Sequence, residues 1–236
     1  MKEGNFDISE NGITLQGVDP SFVALIQLSL RADGFSSFRA DHPISLGLNL
    51  EQICKVLKCA SQGDAVYLKC ADARDVLEIT FKSDSEERVS NFKVRLLEID
   101  ADAFGVPAVT YSSVVKMPSN EFQRIVRELN NISDTVAITI DTDGVKFAAD
   151  SHTSSAEIHI KPTSGSADEG QRVQVKVEEK LKQILALRHL NSFAKASVVS
   201  DSVVLMISEG VPFVCEYKIS NLGHLRFFLA PKIEED

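Results

Sequence analysis

The residues able to do chemistry are few and poorly placed for it. Five histidines, His42, His152, His159, His189 and His224, are scattered along the chain. None falls in an HExxH pattern, which would put two imidazoles on one helix face for zinc. There is no GxSxG nucleophile turn and no GxxxxGK[ST] phosphate loop. Cys54, Cys59, Cys70 and Cys215 form no CxxC and have no nearby histidine pair, so they read as buried free thiols in a reducing compartment. Asp141, Asp143 and Asp150 could be gathered around a metal ion. They flank a hairpin-type turn, however, where Asp is favoured because its carboxylate bonds nearby backbone N–H groups. An enzyme, a hydrolase in particular, has no positive support, and no metal or cofactor is expected.

Basic residues are the next candidates. The chain has 236 residues and a net charge of −9, which argues against binding nucleic acid over the whole surface. Three segments with helical character, 50–58, 119–131 and 187–195, run against that trend. They hold six Lys/Arg (Lys55, Lys58, Arg124, Arg127, Arg188, Lys195) against three Glu (Glu51, Glu121, Glu128). Each segment sets its basic residues off its apolar stripe. If the helices share one side, an acidic body carries a basic face able to meet phosphates without reading bases. Ordinary solubility explains two basic residues per helix equally well. No aromatic residues interleave with them as a single-strand stacking platform requires.

The elements that position these residues are mostly strands. Alternating or apolar runs predict strands at 13–18, 22–30, 45–48, 66–70, 76–82, 89–99, 111–117, 135–140, 145–149, 154–161, 173–177, 202–208, 211–218 and 222–229. Asn49 should cap a helix over LEQICKVLKCA, with Gln52 completing a capping box and Ile53, Val56 and Leu57 buried. Ser119 should cap the strongest helix, SNEFQRIVRELNNI, with Phe122, Ile125, Val126 and Leu129 facing inward. A short helix over 187–195 should bury Leu187, Leu190 and Phe193. No apolar run reaches 18 residues, and the first residues hold no apolar signal core.

Two stretches repeat. Asn11-Gly12-Ile13-Thr14-Leu15 resembles Asp143-Gly144-Val145-Lys146-Phe147 at an offset of 132, and 57–61 resembles 193–197 at an offset of 136. A strand and a full helix precede Gly144, but only eleven residues precede Gly12, with no matching strand or helix. The first unit therefore reads as shortened at its amino end. Alternating strands with helices on one side imply antiparallel sheets with one face covered, an α+β or mainly β chain of two similar domains. Between the halves, Leu96 to Tyr111 ends in an apolar tip, Phe104-Gly105-Val106-Pro107. Such a tip either expects a partner or folds onto its own core.

The connector IDADAFGVP, the helix runs KVLKCA and MPSNEFQRIVREL, the strand GVKFAA, the run VCEYKI and the tail GHLRFFLAPKIEED resemble the proliferating cell nuclear antigen family, the eukaryotic sliding clamps. The resemblance runs from about Asp7 to the last residue. It implies two similar α+β clamp domains (1–95 and 112–236, joined by a connector at 96–111) with sheets outside and helices lining the inner face of a homotrimeric ring. The implied function is a non-catalytic processivity factor in the nucleus, although no Lys/Arg cluster marks a nuclear signal. It would encircle double-stranded DNA and tether DNA polymerase, the flap endonuclease and ligase after loading by the clamp loader. The six basic helix residues match DNA-facing positions. Val18, Phe22, Val23, Leu25, Phe104, Val106, Pro107, Tyr111, Pro212, Phe228, Ala230 and Pro231 match a pocket for partner peptides with an aliphatic residue and two aromatics. Subunits would join by pairing 89–95 with 154–159. Departures are the missing first strand and helix, Phe22 in place of the usual His, Phe228 in place of the usual Tyr, and Thr142 where the family carries its ubiquitin-accepting lysine. The alternatives are a shortened clamp that binds partners without closing, and a checkpoint-clamp paralogue.

Overall fold

A computed structural model describes residues 2–71, 75–85, 87–100, 109–163 and 172–232. The chain divides into two units, one of Met1–Gly17 with Arg31–Phe104, the other of Val18–Leu30 with Gly105–Asp236.

The first unit holds β1 (Glu3–Ser9), β2 (Gly12–Val18), β4 (Ile44–Asn49), helix α1 (Leu50–Leu57), β5 (Ala65–Cys70), β6 (Val76–Lys82) and β7 (Val89–Arg95). Strand β3 (Ala24–Arg31) clusters with the second unit. Strands β2, β1 and β4 lie side by side in that order, and β5, β6 and β7 form a separate sheet, all antiparallel. The core is small: Leu46, Leu48, Ile53, Leu77, Ile79, Phe81 and Val94. Asn49 caps α1 as expected, its Oδ1 accepting the Gln52 N–H at 3.0 Å. Only Ile53 of the helix is buried. Leu57, expected on the buried stripe, is 45% exposed: α1 packs mainly on β1, β4 and β7, and its last turn stays open among the described residues. Residues leaving β7 are tied back at several places. Leu96 N–H bonds Asp75 O (3.0 Å), Leu97 N–H bonds Gly47 O (2.9 Å), and Asn5 Nδ2 donates to Ile99 O (3.1 Å). The strand expected over 89–99 thus stops at Arg95, and only the Leu97 bridge to Gly47 continues it.

The second unit holds β8 (Ser113–Pro118), α2 (Ser119–Leu129), β9 (Thr135–Asp141), β10 (Gly144–Asp150), β11 (Ser155–Ile160), β12 (Gln174–Val177), β13 (Leu181–Ala186), α3 (Leu187–Phe193), β14 (Ser202–Ile207), β15 (Phe213–Ile219) and β16 (Gly223–Leu229). One run of strands has the order β12-β8-β14-β15-β16-β3 and the other sheet the order β11-β10-β9-β13. Helices α2 and α3 pack on a core that includes Phe122, Ile125, Val126, Leu129, Leu187, Leu190 and Phe193, the stripes read from helical spacing. Lys195 sits beyond α3 in a 3-10 segment, Ala194–Val198. Ser119 does not cap α2. Pro118 takes the cap position, and Ser119 is fully buried, its N–H on Asp201 O at 2.9 Å and its Oγ without a partner.

The repeat holds at the level of atoms. The shift of 132 carries Glu3–Ser9 onto Thr135–Asp141 and Gly12–Val18 onto Gly144–Asp150. Both hairpins turn on glycine, Gly12 at φ 137 and Gly144 at φ 135. A Cβ on Gly144 would lie 2.1 Å from Ile160 O, so no other residue fits. The turn chemistry also matches: Ser9 Oγ accepts the Asn11 N–H at 3.3 Å, and Asp141 Oδ1 accepts the Asp143 N–H at 2.9 Å. Asp141 is thereby spent on its turn, with Lys180 Nζ 3.8 Å from its other oxygen.

Two strands escaped sequence reading. β1, with only Phe6 and Ile8 packed inward, shows little alternation. In β13, Lys182 and Gln183 break the pattern. The strand predicted from Phe22 starts instead at Ala24.

Candidate functional site

In the second unit, antiparallel register sorts side chains into rows. One row, Val115, Leu205, Cys215, Phe227, faces the core and is at most 7% exposed. The adjacent row on the opposite face runs Val114, Met206, Val214, Phe228, Leu25 across five strands, and every member is apolar. All but Val214 are half-buried. The following row turns polar, with Lys116, Val204, Glu216, Arg226 and Gln27, and Arg226 Nε meets Glu216 Oε2 at 2.5 Å. A sheet face normally alternates toward polar residues on its water side. This row departs from that pattern and leaves partly exposed apolar side chains in a continuous line.

Several candidate peptide-pocket residues border this row. Leu25 and Phe228 belong to it and are directly opposed. Val23 leads into β3, and its carbonyl accepts the Ala230 N–H at 3.0 Å, which fixes the start of the tail. Pro231 follows, and Lys232 N–H bonds Ile184 O at 2.8 Å. Tyr111 reaches Pro212, its hydroxyl 3.5 Å from that carbonyl, and burial raises its pKa against the opposing pull of Arg226. Val18 closes β2, half-buried. Phe22 stands in a turn, 77% exposed. Phe104, Val106 and Pro107 lie outside the described residues.

Two side chains that sequence reasoning did not single out hold these parts in place. Gln183, 8% exposed, donates from Nε2 to Ser208 O and Val211 O, both at 3.0 Å, and so pins the loop that precedes Pro212. Asp19 organises the turn before β3: Oδ1 accepts from Val23 N–H (2.8 Å) and Ala24 N–H (2.6 Å), and Oδ2 accepts from the Ser21 N–H and hydroxyl. Desolvation works against its charge, but these bonds outweigh it and hold the carboxyl at about 2. An Asp followed by Pro-Ser was the available signal for such a turn.

The basic candidates all stand in solvent: Lys55 and Lys58 at the end of α1, Arg124 and Arg127 on α2, Arg188 on α3 and Lys195 beyond it. They are not equally available. Arg124 is held by Glu121 at 2.7 Å and approached by Glu128 at 3.9 Å. Arg188 donates to His189 Nε2 at 3.1 Å. Helix α2 is joined to the segment bearing Lys195 by Gln123 Nε2, which donates to Ala194 O at 3.1 Å. Strand β7 ends the β5-β6-β7 sheet and β11 ends the β11-β10-β9-β13 sheet, so each leaves one edge open among the described residues. Among those residues no three His, Cys, Asp or Glu are grouped to hold a metal ion, and no helix is long and apolar enough to cross a membrane.

Two family models match the chain in succession. One, the N-terminal domain of proliferating cell nuclear antigen, covers residues 1–104. The other, the C-terminal domain of the same protein, covers residues 105–232.

Proposed function

The chain belongs to the proliferating cell nuclear antigen family, with both of its α+β domains, and from that premise we propose that it is a DNA sliding clamp and processivity factor working in the nucleus. The family is one of non-catalytic clamp scaffolds. In this reading three copies close a homotrimeric ring by pairing the open edges of β7 and β11, which also removes two edges prone to aggregation. The domains are 1–95 and 112–236, with 96–111 as connector. Lys55, Lys58, Arg124, Arg127, Arg188 and Lys195 face duplex DNA. Polymerase, flap endonuclease, ligase and clamp loader dock peptides along the apolar row and the residues beside it. Topological linkage replaces affinity, so a few phosphate contacts suffice and permit sliding.

The observation that carries the reading is the division of labour on the helices. All six basic residues are exposed, while the apolar stripes of α2 and α3 are buried. The test is retention on DNA after incubation with a clamp loader and ATP. Retention on a closed primed circle, with loss after linearisation, is the expected result, and reversing the charge of Arg127, Arg188 and Lys195 together abolishes it. Equal retention on both DNAs, or indifference to the reversal, overturns the reading.

One observation favours a second reading. On β5 the core-facing Val66 and Leu68 are 49% and 44% exposed. A unit so open fits a chain that binds partner peptides without closing as a homotrimer. Light scattering decides: a mass of three subunits supports the clamp and excludes a paralogue that needs other subunits, and a monomer that still binds peptide supports the second reading.

A further inference from the structure

We propose that the solvent face of the β5-β6-β7 sheet is a platform for single-stranded nucleic acid, with Tyr67 stacking a base and four cations holding the backbone. It needs neither ring closure nor peptide docking. The register of the three strands sorts their side chains. Leu77, Ile79, Phe81 and Val94 take the core side. The other side carries the rows Lys69-Glu78-Lys93 and Tyr67-Thr80-Asn91, with Lys82 opposite Ala65 and Val89 at one end and Arg95 opposite Val76 at the other. Every charged residue of the three strands is therefore on the solvent face, four cations against the carboxylate of Glu78. Asp75 before β6, and Asp84 and Glu87 in the turn after it, bound the patch at its two ends. The whole chain has 34 acids to 25 bases, so a face kept polar for solubility alone has no reason to take this sign. Lysines on β5 and β7 also guard sheet edges, but that purpose does not call for Lys82 on the central strand.

Tyr67 supplies what the basic helices lack. It is 50% exposed among these cations, and Lys82 Nζ sits 5.0 Å from the centre of its ring. The ring thus has an ammonium beside it and half its surface left to a ligand. Its row neighbours are uncharged, Thr80 Oγ1 donating to Asn91 Oδ1 at 2.7 Å. Phosphates can meet Lys69, Lys82, Lys93 and Arg95 while a base lies on the ring, the pairing of cationic track and aromatic surface that suits a single strand. A duplex keeps its bases stacked on one another and gains nothing from the ring. An acidic peptide would use the cations and leave Tyr67 idle. Glu78 restrains the site, because it holds Lys93 at 2.9 Å.

The test is fluorescence anisotropy with the full chain and a labelled oligothymidylate over a salt series, beside an abasic strand of the same length and a polyglutamate peptide. Tyr67→Ser is expected to weaken oligothymidylate about fivefold or more relative to the abasic strand. Lys69→Gln and Arg95→Gln are expected to flatten the salt dependence, by about 0.7 in the log–log slope for each cation removed. Glu78→Gln is expected to tighten the binding of oligothymidylate, a gain that damaged folding cannot mimic. Oligothymidylate binding that ignores Tyr67→Ser but weakens with the loss of the cations overturns the platform and marks a general polyanion surface, as does polyglutamate binding equally tightly. Binding that survives Lys69→Gln with Arg95→Gln, and is lost on reversing the charge of Arg127, Arg188 and Lys195, belongs to the helices and overturns it too. So does a failure to bind oligothymidylate at low salt.

Discussion

Strands β5 and β14 hold the same place in the two repeats, each opening a three-strand run, β5-β6-β7 and β14-β15-β16. Their lengths agree residue for residue. Yet Val203, Leu205 and Ile207 on the core side of β14 are fully buried, whereas Val66 and Leu68 on β5 lie half in solvent. The difference is what lies alongside. β14 has β8 on its free edge and α2 packed against it, and β5 has neither among the described residues. A strand's apolar face is buried by its cover and not by its own composition. The largest apolar cluster of the second unit accordingly holds Phe122, Phe147, Phe193, Phe213 and Tyr217, and that of the first unit has Phe81 as its one fully buried ring.

The sharpest way to break this comparison is to remove the cover. Phe122→Ala, at a site with no exposure, is expected to cost about 3–5 kcal/mol by denaturant unfolding, and to speed hydrogen exchange in β14 toward the rate of β5. A β14 that stays protected would show that its burial does not depend on α2. Gly144→Ala comes next, at about 1–3 kcal/mol, because the left-handed backbone and the contact with Ile160 O both oppose a side chain. Gly12→Ala shares the backbone conformation and should also destabilise; a neutral effect there would undo the equivalence of the turns. Leu68→Ala should cost under about 1 kcal/mol, since the side chain is already half in water. The smallest effect is one of pH. Asp19 has its pKa lowered, so its contribution to stability is complete above the unfolded value near 4 and is lost as pH falls toward about 2. Asp19→Asn should flatten the melting temperature across that window, and an unchanged pH slope would show that the turn does not need the charge.

How legible all this was depends on the kind of signal. The α2 stripe was readable because Phe122, Ile125, Val126 and Leu129 follow the helical period. Asn49 was readable as a cap because its partner is three residues away. Ser119, expected as a cap from its residue type and the Glu121 that follows, failed: it is the first residue inside α2, buried, with its own N–H on Asp201 O, eighty-odd positions along the chain. Leu57 failed for a related reason: periodicity says which side of a helix is apolar, and only the tertiary neighbours say whether that side is covered. Phe22 looked like the first residue of a strand, since hydropathy carries no information about a positive φ. The candidate docking residues, drawn from β3, the loop before β15 and the tail after β16, share no local pattern. They were named through resemblance alone, and it was the cross-strand register that placed Leu25 beside Phe228.

The residues leaving β7 have a mechanical consequence. A pull on the chain beyond Ile99 does not peel β7 from its sheet one bond at a time. It reaches β6 territory through Asp75, β4 through Gly47 and β1 through Asn5, and these anchors resist together. Gly47 makes this possible, because a Cβ there would sit 2.1 Å from Leu97 O and hold the chain off. The first unit, thinly packed as it is, has the attachment of a strap sewn down at three points, so force arriving from beyond Ile99 is spread across the unit before any strand gives way.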